Sequence, residues 1–400
     1  MRRSPSLLVT LPLAALLLGS TAAAAPADAS PSAQGSTARA ARSCASPTGG
    51  NAACNALVRT DAPKPGPNAV PAGYGPADLR LAYNLPSDTA GSGRTIAIID
   101  AYDAPTAESD LGVYRTQFGL PSCTTSNGCF KKVNQSGGTK LPRANGGWAQ
   151  ETSLDLDMAS AICPNCHILL VEASTPSFAN LGAAVNYAAR QPGVVAISNS
   201  YGGADASDAT YGAYYNHPGI AVTVSSGDSG YGVQYPASSK YVVAVGGTSL
   251  TKSGTSYAET AWSGAGSGCS TLNTQPSFQV SAGTGCANRA VADVSAVADP
   301  ATGVAVYDSY AYQGRSGWLV FGGTSVAAPV IAGVYALATT SHTANSLPTY
   351  PASSAYANAS SLHDVSSGSN GTCPTPQWCN AGPGWDGPTG LGTPNTAAGF

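Results

Sequence analysis

The stretch Phe321-Gly322-Gly323-Thr324-Ser325-Val326-Ala327-Ala328-Pro329 places a hydroxyl where chemistry is possible. Its glycines allow a tight turn with close backbone approach. The apolar run 326–338 that follows predicts a buried helix. Pro329 is expected in the first turn of that helix, where a missing N–H costs nothing. Ser325 then sits at a helix N-terminus, where the dipole favours a developing negative charge. Such a serine is a candidate nucleophile once a base is found for it. The same residues also read as an N-cap serine after a glycine turn.

The base is sought first among four histidines. His167 begins an apolar run, His217 lies in a Tyr/Pro loop, His342 follows a helix end and His363 adjoins Asp364. None opens a glycine-rich helix start, as a Ser-His-Asp hydrolase would require. Carboxylates serve better. In Trp148-Ala149-Gln150-Glu151-Thr152-Ser153-Leu154-Asp155-Leu156-Asp157, Glu151 and Asp155 are four apart and share a helix face, while Asp157 lies well round from it. Two stacked carboxylates repel unless they share a proton, which raises one pKa and yields a base able to work in acid. A first turn charged to suit the helix dipole is the competing reading. Asp228, in Ser225-Ser226-Gly227-Asp228-Ser229-Gly230, follows an apolar run. It reads as an Asx-turn residue or, if protonated, as a donor to an oxyanion.

These groups need a scaffold. Apolar runs at 95–99, 167–171, 194–198, 220–224 and 241–245 read as strands buried on both faces. Helical patterns at 109–118, 151–162 and 177–190 lie between them. The alternation predicts an α/β fold, doubly wound, with a mostly parallel sheet and helices on both faces. Its site should lie at the carboxyl ends of the strands. Residues 76–400 are expected to form this domain. Residues 26–75, rich in Ala, Ser, Pro and Gly, read as a linker or short pro-segment without a core of its own. Residues 1–25 read as a secretory signal peptide: Met1-Arg2-Arg3, an apolar core from Leu7 to Gly19, then small residues at 22–25. The mature protein is therefore expected outside the cell.

Charged residues are 10% of the chain and the net charge is −3, which leaves no basic footprint for nucleic acid and no polybasic patch for a membrane. A surface wetted by hydroxyls changes little as carboxylates titrate, which suits acid. The ten cysteines fall in five close pairs: Cys44/Cys54, Cys123/Cys129, Cys163/Cys166, Cys269/Cys286 and Cys373/Cys379. In an exported chain these read as disulfides between neighbours. Cys163-Pro164-Asn165-Cys166 reads as a structural staple rather than a redox site.

The Glu151/Asp155 pair, the Gly-Asp-Ser-Gly stretch at Asp228 and the Gly-Thr-Ser stretch at Ser325, in that order, resemble the signature of the sedolisins, serine-carboxyl peptidases of subtilisin-like fold. Residues 236–248 are similar to that family as well, and the resemblance runs from about Tyr74 to Phe400. It implies that Ser325 attacks the scissile carbonyl, Glu151 takes its proton, Asp155 holds Glu151, and protonated Asp228 stabilises the oxyanion. It further implies an acid-acting monomer with protein or peptide substrates. Leu362-His363-Asp364-Val365 and Gly382-Pro383-Gly384-Trp385-Asp386 resemble the family's calcium site, with carboxylates from Asp364 and Asp386 and backbone carbonyls from Val365, Gly382 and Gly384. Two departures stand out. Sedolisins usually carry a long folded prodomain, which 26–75 is too short to be. Asp100, in Ile98-Ile99-Asp100, resembles the subtilisin aspartate but reads as structural or supporting in the absence of a partner histidine. A histidine-dependent subtilisin-like hydrolase and a catalytically inactive binding relative remain the alternatives.

Overall fold

A computed structural model describes residues 38–63, 70–338 and 347–400. The signal-peptide reading and His342 lie outside these residues. Residues 38–400 form one compact unit.

Three short strands open it: β1 (Ala40–Arg42), β2 (Ala53–Cys54) and β3 (Leu57–Arg59). Helix α1 (Pro76–Ala82) leads to β4 (Thr95–Ala101), α2 (Ala107–Gln117) and β5 (Phe130–Asn134). Then come α3 (Gly146–Ile162), β6 (His167–Ala173), α4 (Phe178–Ala188), β7 (Val194–Asn199) and β8 (Tyr201–Gly202). Strands β9 (Ala221–Ser225), β10 (Val243–Ser253) and β11 (Ser256–Ala261) follow. A ribbon of β12 (Gly268–Thr274) and β13 (Asn288–Val291), then β14 (Val294–Val297), precede a hairpin of β15 (Val304–Tyr312) and β16 (Arg315–Gly322). Helix α5 spans Thr324–Ala338.

The main sheet has eight strands in the order β11-β10-β9-β7-β4-β6-β5, with β14 also on β10. Every pairing is parallel except β10 with β11. Strands β7 and β9 are buried at every residue, as a sheet covered on both faces requires. Strand β4 is central: β6 and β5 extend to one side, β7 and β9 to the other. This reversal opens a crevice at the carboxyl ends of β4, β7 and β9. A second, four-stranded sheet runs β1-β3-β16-β15. All five disulfides join the expected neighbours.

Three expectations are revised. Helix α3 begins at Gly146, capped by the Asn145 side chain, rather than at Glu151. Glu151 therefore lies beyond the first turn, which holds no acidic residue, and the dipole reading of the pair falls away. Helix α5 begins at Thr324, so Pro329 lies in its second turn. There the proline withholds the N–H that the Ser325 carbonyl would have accepted. That carbonyl instead faces the Ser200 hydroxyl at 3.3 Å. Residues 38–63 are not a free linker: β1 and β3 extend the second sheet, and β2 pairs with β8. Their composition lacks apolar weight, but their backbone bonds are completed by strands already in the core.

Candidate active site

Helix α3 carries Glu151 and Asp155 inward at the end of β4, and α5 delivers Ser325 beside them. The side chains of Glu151, Asp155 and Ser325 are wholly buried. The Ser325 Oγ donates to the Ser200 carbonyl oxygen, 3.2 Å away. Burial pushes the Glu151 pKa well above the ordinary value, and the charges of Asp155, Asp100 and Asp228 add to the push; the Ser325 hydroxyl opposes it. Asp155 is also raised by burial, then by Asp100, while the hydrogen bond from Ser200 pulls it down. Both Glu151 oxygens and Asp155 Oδ2 are buried without a hydrogen-bond partner among the described residues. Such a cluster is stable only if it retains protons.

The other Asp155 oxygen is held by Ser200. Ser200 Oγ lies 2.8 Å from Asp155 Oδ1 and 3.3 Å from the Ser325 carbonyl oxygen. A hydroxyl has one proton to give. The shorter contact is the bond it donates to Asp155, and the Ser325 carbonyl takes the longer, weaker share. Sequence reasoning missed Ser200, because a serine after a buried strand carries no distinguishing pattern. Asp100 was read as supporting. It is fully buried at the end of β4, neither of its oxygens has a hydrogen-bond partner among the described residues, and its charge is among the causes that raise both Glu151 and Asp155. Its own pKa is pushed up to about 7 by burial. Asp157 points away from this group and accepts from the Tyr307 N–H at 2.9 Å.

Asp228 approaches from the loop after β9. Its Oδ1 accepts from the Thr324 N–H and the Thr324 hydroxyl, each at 2.8 Å. It thus caps the N-terminus of α5 from another part of the chain. Burial outweighs these bonds and pushes its pKa up to about 7. The remaining oxygen, Oδ2, has no partner among the described residues and faces Gly323. Gly323 has φ +96° and could not be another residue: a Cβ there would overlap the Asn55 carbonyl oxygen and stand 2.6 Å from Asp228 Oδ2. A serine hydroxyl, an acid pair and a buried aspartate carboxyl thus lie together around the start of α5. That set can perform nucleophilic acyl transfer without imidazole.

The described histidines stand elsewhere. His167 is exposed at the amino end of β6, His217 contacts the Tyr214 carbonyl at 3.0 Å, and His363 is exposed in the 362–363 strand.

The second predicted site lies near the C-terminus. Asp364 accepts from the Gly384 N–H at 2.9 Å. Asp386 accepts from Gly382 N–H at 3.2 Å, from Thr389 N–H at 2.9 Å and from Thr389 Oγ at 2.8 Å. The loop 382–386 therefore wraps the two carboxylates, and Asp364 is among the causes that raise the Asp386 pKa. Among the described residues, no three His, Cys, Asp or Glu side chains gather as a metal cluster. An ion here would rest on two carboxylates and the backbone carbonyls of Val365, Gly382 and Gly384, an all-oxygen set that fits a hard cation.

Residues 144–368 match the model of the subtilase family. The chain is 32% identical to kumamolisin of Bacillus sp. (strain MN-32) over 82% of its own length and 63% of the relative's. It is 28% identical to sedolisin of Pseudomonas sp. (strain 101), over 80% and 60% of the two lengths. The chain thus spans under two thirds of the curated relatives it matches. A solved structure of Pseudomonas sedolisin, a serine-carboxyl proteinase complexed with pseudo-iodotyrostatin, superposes with a TM-score of 0.67 at 27% identity, covering 82% of this chain and 96% of that one. Sphericase shares the fold at a TM-score of 0.52 and 18% identity. On its matched domain, its α/β sheet and its likeness to sedolisin, the chain belongs to the subtilase family.

Proposed function

We propose that this protein is a secreted, acid-acting serine-type endopeptidase of the sedolisin kind. The observation that carries the reading is the convergence of Ser325, the buried Glu151/Asp155 pair and Asp228 on one point, with the described histidines elsewhere. Ser325 Oγ attacks the scissile carbonyl as Glu151 takes its proton. Asp155 keeps Glu151 oriented and shares the charge through its own retained proton. Protonated Asp228 donates from Oδ2 to the oxyanion, and the N-terminal dipole of α5 adds to that stabilisation. The leaving amine collects the proton from Glu151, and water, activated by the same carboxylate, hydrolyses the ester.

Hydrolysis of an unstructured protein such as casein, followed across pH, tests this. Activity should be high in acid and fall as Asp228 loses its proton around pH 7. The variant His167→Ala should retain the wild-type profile. A rate that climbs from pH 5 to 8 would favour a histidine mechanism instead.

Asp364, Asp386 and the carbonyls of Val365, Gly382 and Gly384 would hold one structural calcium ion. The ion would neutralise the paired carboxylates and fix the 382–386 loop against residues 362–365. Chelation should therefore lower Tm by several degrees, restored by added calcium, as expected when a ligand binds only the folded state. An unchanged Tm with a chelator would exclude the site.

A further inference from the structure

We propose that Asp110, Asp157 and Asp308 form an acid-locked clasp that holds the β15–β16 hairpin against α2 and α3 and releases it as the medium turns neutral, taking Tyr312 off the start of the helix that bears the acid pair. The clasp stands on the fold alone; its effect on turnover rests on the peptidase reading.

Strand β15 lies at the edge of the second sheet, with β16 on its inner side. The N–H groups on its outer side need acceptors from elsewhere. That of Ala305 donates to the Tyr74 carbonyl at 3.0 Å. The next two in the alternation donate to carboxylates: Tyr307 to Asp157 Oδ2 on α3 and Ser309 to Asp110 Oδ2 on α2, each at 2.9 Å. Asp308 stands between them. Its Oδ1 accepts from the Tyr310 N–H at 3.1 Å and lies 3.5 Å from Ser153 Oγ on α3. Its Oδ2 is buried with no partner among the described residues. Three carboxyl groups from three elements are thus gathered where the hairpin leaves the core, and none is more than 2% exposed.

No counterion answers them. Among the described residues none of the three is in an ion pair. Arg115 on α2 is the near cation, but its guanidinium is given to the Pro121 and Pro164 carbonyls and to Ser160 Oγ. The other charged groups of the elements packed here are engaged elsewhere. Asp78 and Arg80 of α1 bond Lys252 and Asp88, Glu108 of α2 bonds Thr125, and Arg315 of β16 bonds Gln313. Glu151 and Asp155 of α3 belong to the site. The phenols of Tyr114, Tyr307 and Tyr310 complete the set. Burial pushes Asp157 well above the ordinary carboxylate range and Asp308 up to about 7, and the charge of Asp110 adds to both. In acid Asp157 and Asp308 keep protons, and a protonated carboxyl still offers an oxygen to an N–H. As pH rises through about 7 the Asp308 proton leaves, and like charges stand side by side. The stabilisation is therefore full below the unfolded values near 4 and is lost toward neutrality.

Packing decides what gives way. Beyond Asp308 the pairing of β15 with β16 slips before Tyr312, and every residue of 309–317 is exposed or half-exposed. Trp318 packs on Tyr114 and Phe118 of α2, with ring centroids 6.0 and 5.7 Å away. The hairpin returns to the protein at Tyr312, whose ring covers the bare first turn of α3: a Cβ at Gly146 would stand 2.5 Å from it. Tyr312, Tyr102, Asn145 and Trp148 are among the residues that line a cavity of about 310 Å³. Trp148 is one helical turn from Glu151. With so few other contacts, loss of the clasp frees the outer half of the hairpin and removes one wall of this cavity. Asp157 and Asp308 are thus positioning residues: they act on the site through Tyr312.

Hydrogen exchange of the full chain, corrected for the intrinsic pH dependence of amide exchange and with calcium held constant, reads the hairpin directly. Segments within 305–320 should lose protection at least about tenfold between pH 5 and 8, while β7 and β9 keep theirs. Asp308→Asn removes one charge and keeps an acceptor for the Tyr310 N–H. It should move the midpoint of that loss up by at least about one pH unit and leave hydrolysis at pH 4 unchanged. On a peptide substrate the wild-type KM should rise at least about threefold from pH 5 to 7.5, as the competent population shrinks, and Asp308→Asn should delay that rise by the same interval. The fall in kcat, set by Asp228, should be alike in both. If Asp308→Asn does not fold, Asp110→Asn, which still accepts from the Ser309 N–H, should show the same upward shift. A hairpin as well protected at pH 8 as at pH 5, or variants whose midpoint equals that of the wild type, overturns the clasp and leaves the peptidase reading standing. A hairpin that opens in a protein hydrolysing no peptide at any pH keeps the clasp and removes the peptidase reading.

Discussion

Ser325→Ala should lower kcat/KM on a peptide substrate by at least about 10³-fold, with Tm little changed, because it removes the nucleophile and only one buried hydroxyl with a single hydrogen bond. Glu151→Gln should cost about as much, since the members of such a unit are far from additive. Near-wild-type activity in either variant would end the assignment. Asp228→Asn discriminates more finely. An amide still donates a hydrogen bond but has no proton to lose. The variant should keep part of the rate, and its decline toward neutral pH should weaken, because in the wild type that decline follows a carboxyl with pKa about 7. If the decline is identical in both proteins, Asp228 is not the group that sets it.

Stability should run opposite to the usual acid denaturation. Asp100 and Asp308 are pushed by burial to about 7, and Glu172 to about 8; burial also raises Glu151, Asp155, Asp157 and Glu259. In each case the folded protein binds a proton more tightly than the unfolded chain does. Their contribution is fully present below the unfolded values near 4 and is lost as pH rises through the folded values near 7. One such carboxyl is worth on the order of a few kcal/mol across that window. The lowered pKa of Asp78, bonded to Lys252 and Tyr257, works in the other direction, but that group is partly exposed. Thermal unfolding with chelator in every buffer should therefore show a Tm lower at pH 7 than at pH 4, by on the order of ten degrees. A Tm that rises between those values would mean that these carboxyls are ionised in the folded protein.

The sequence exposed the central sheet well. The apolar runs at 95–99, 167–171 and 194–198 each begin at the strand's first residue, because strands covered on both faces leave an unbroken apolar signature. Four candidate site residues were legible because their spacing is chemical: two acids on one helix face, an aspartate after a strand, a serine after glycines. The hairpin 304–322 was not, since its exposed half alternates Tyr and Ser without a strong period. Neither were β1, β2 and β3, whose two or three residues have strand conformation only because distant strands complete their hydrogen bonds: β3 for β1, β8 for β2 and β16 for β3. Ser200 was invisible for the same reason: its meaning lies in what other parts of the chain bring to it.

Ser200 has one more consequence. Its hydroxyl touches the acid on α3, and its carbonyl receives the hydroxyl of α5. The opening in α5 that Pro329 creates lets the same residue reach the Ser325 main chain as well. A shift of the β7–β8 corner therefore carries acid and nucleophile in the same direction, and thermal breathing of the sheet leaves the spacing between them nearly constant.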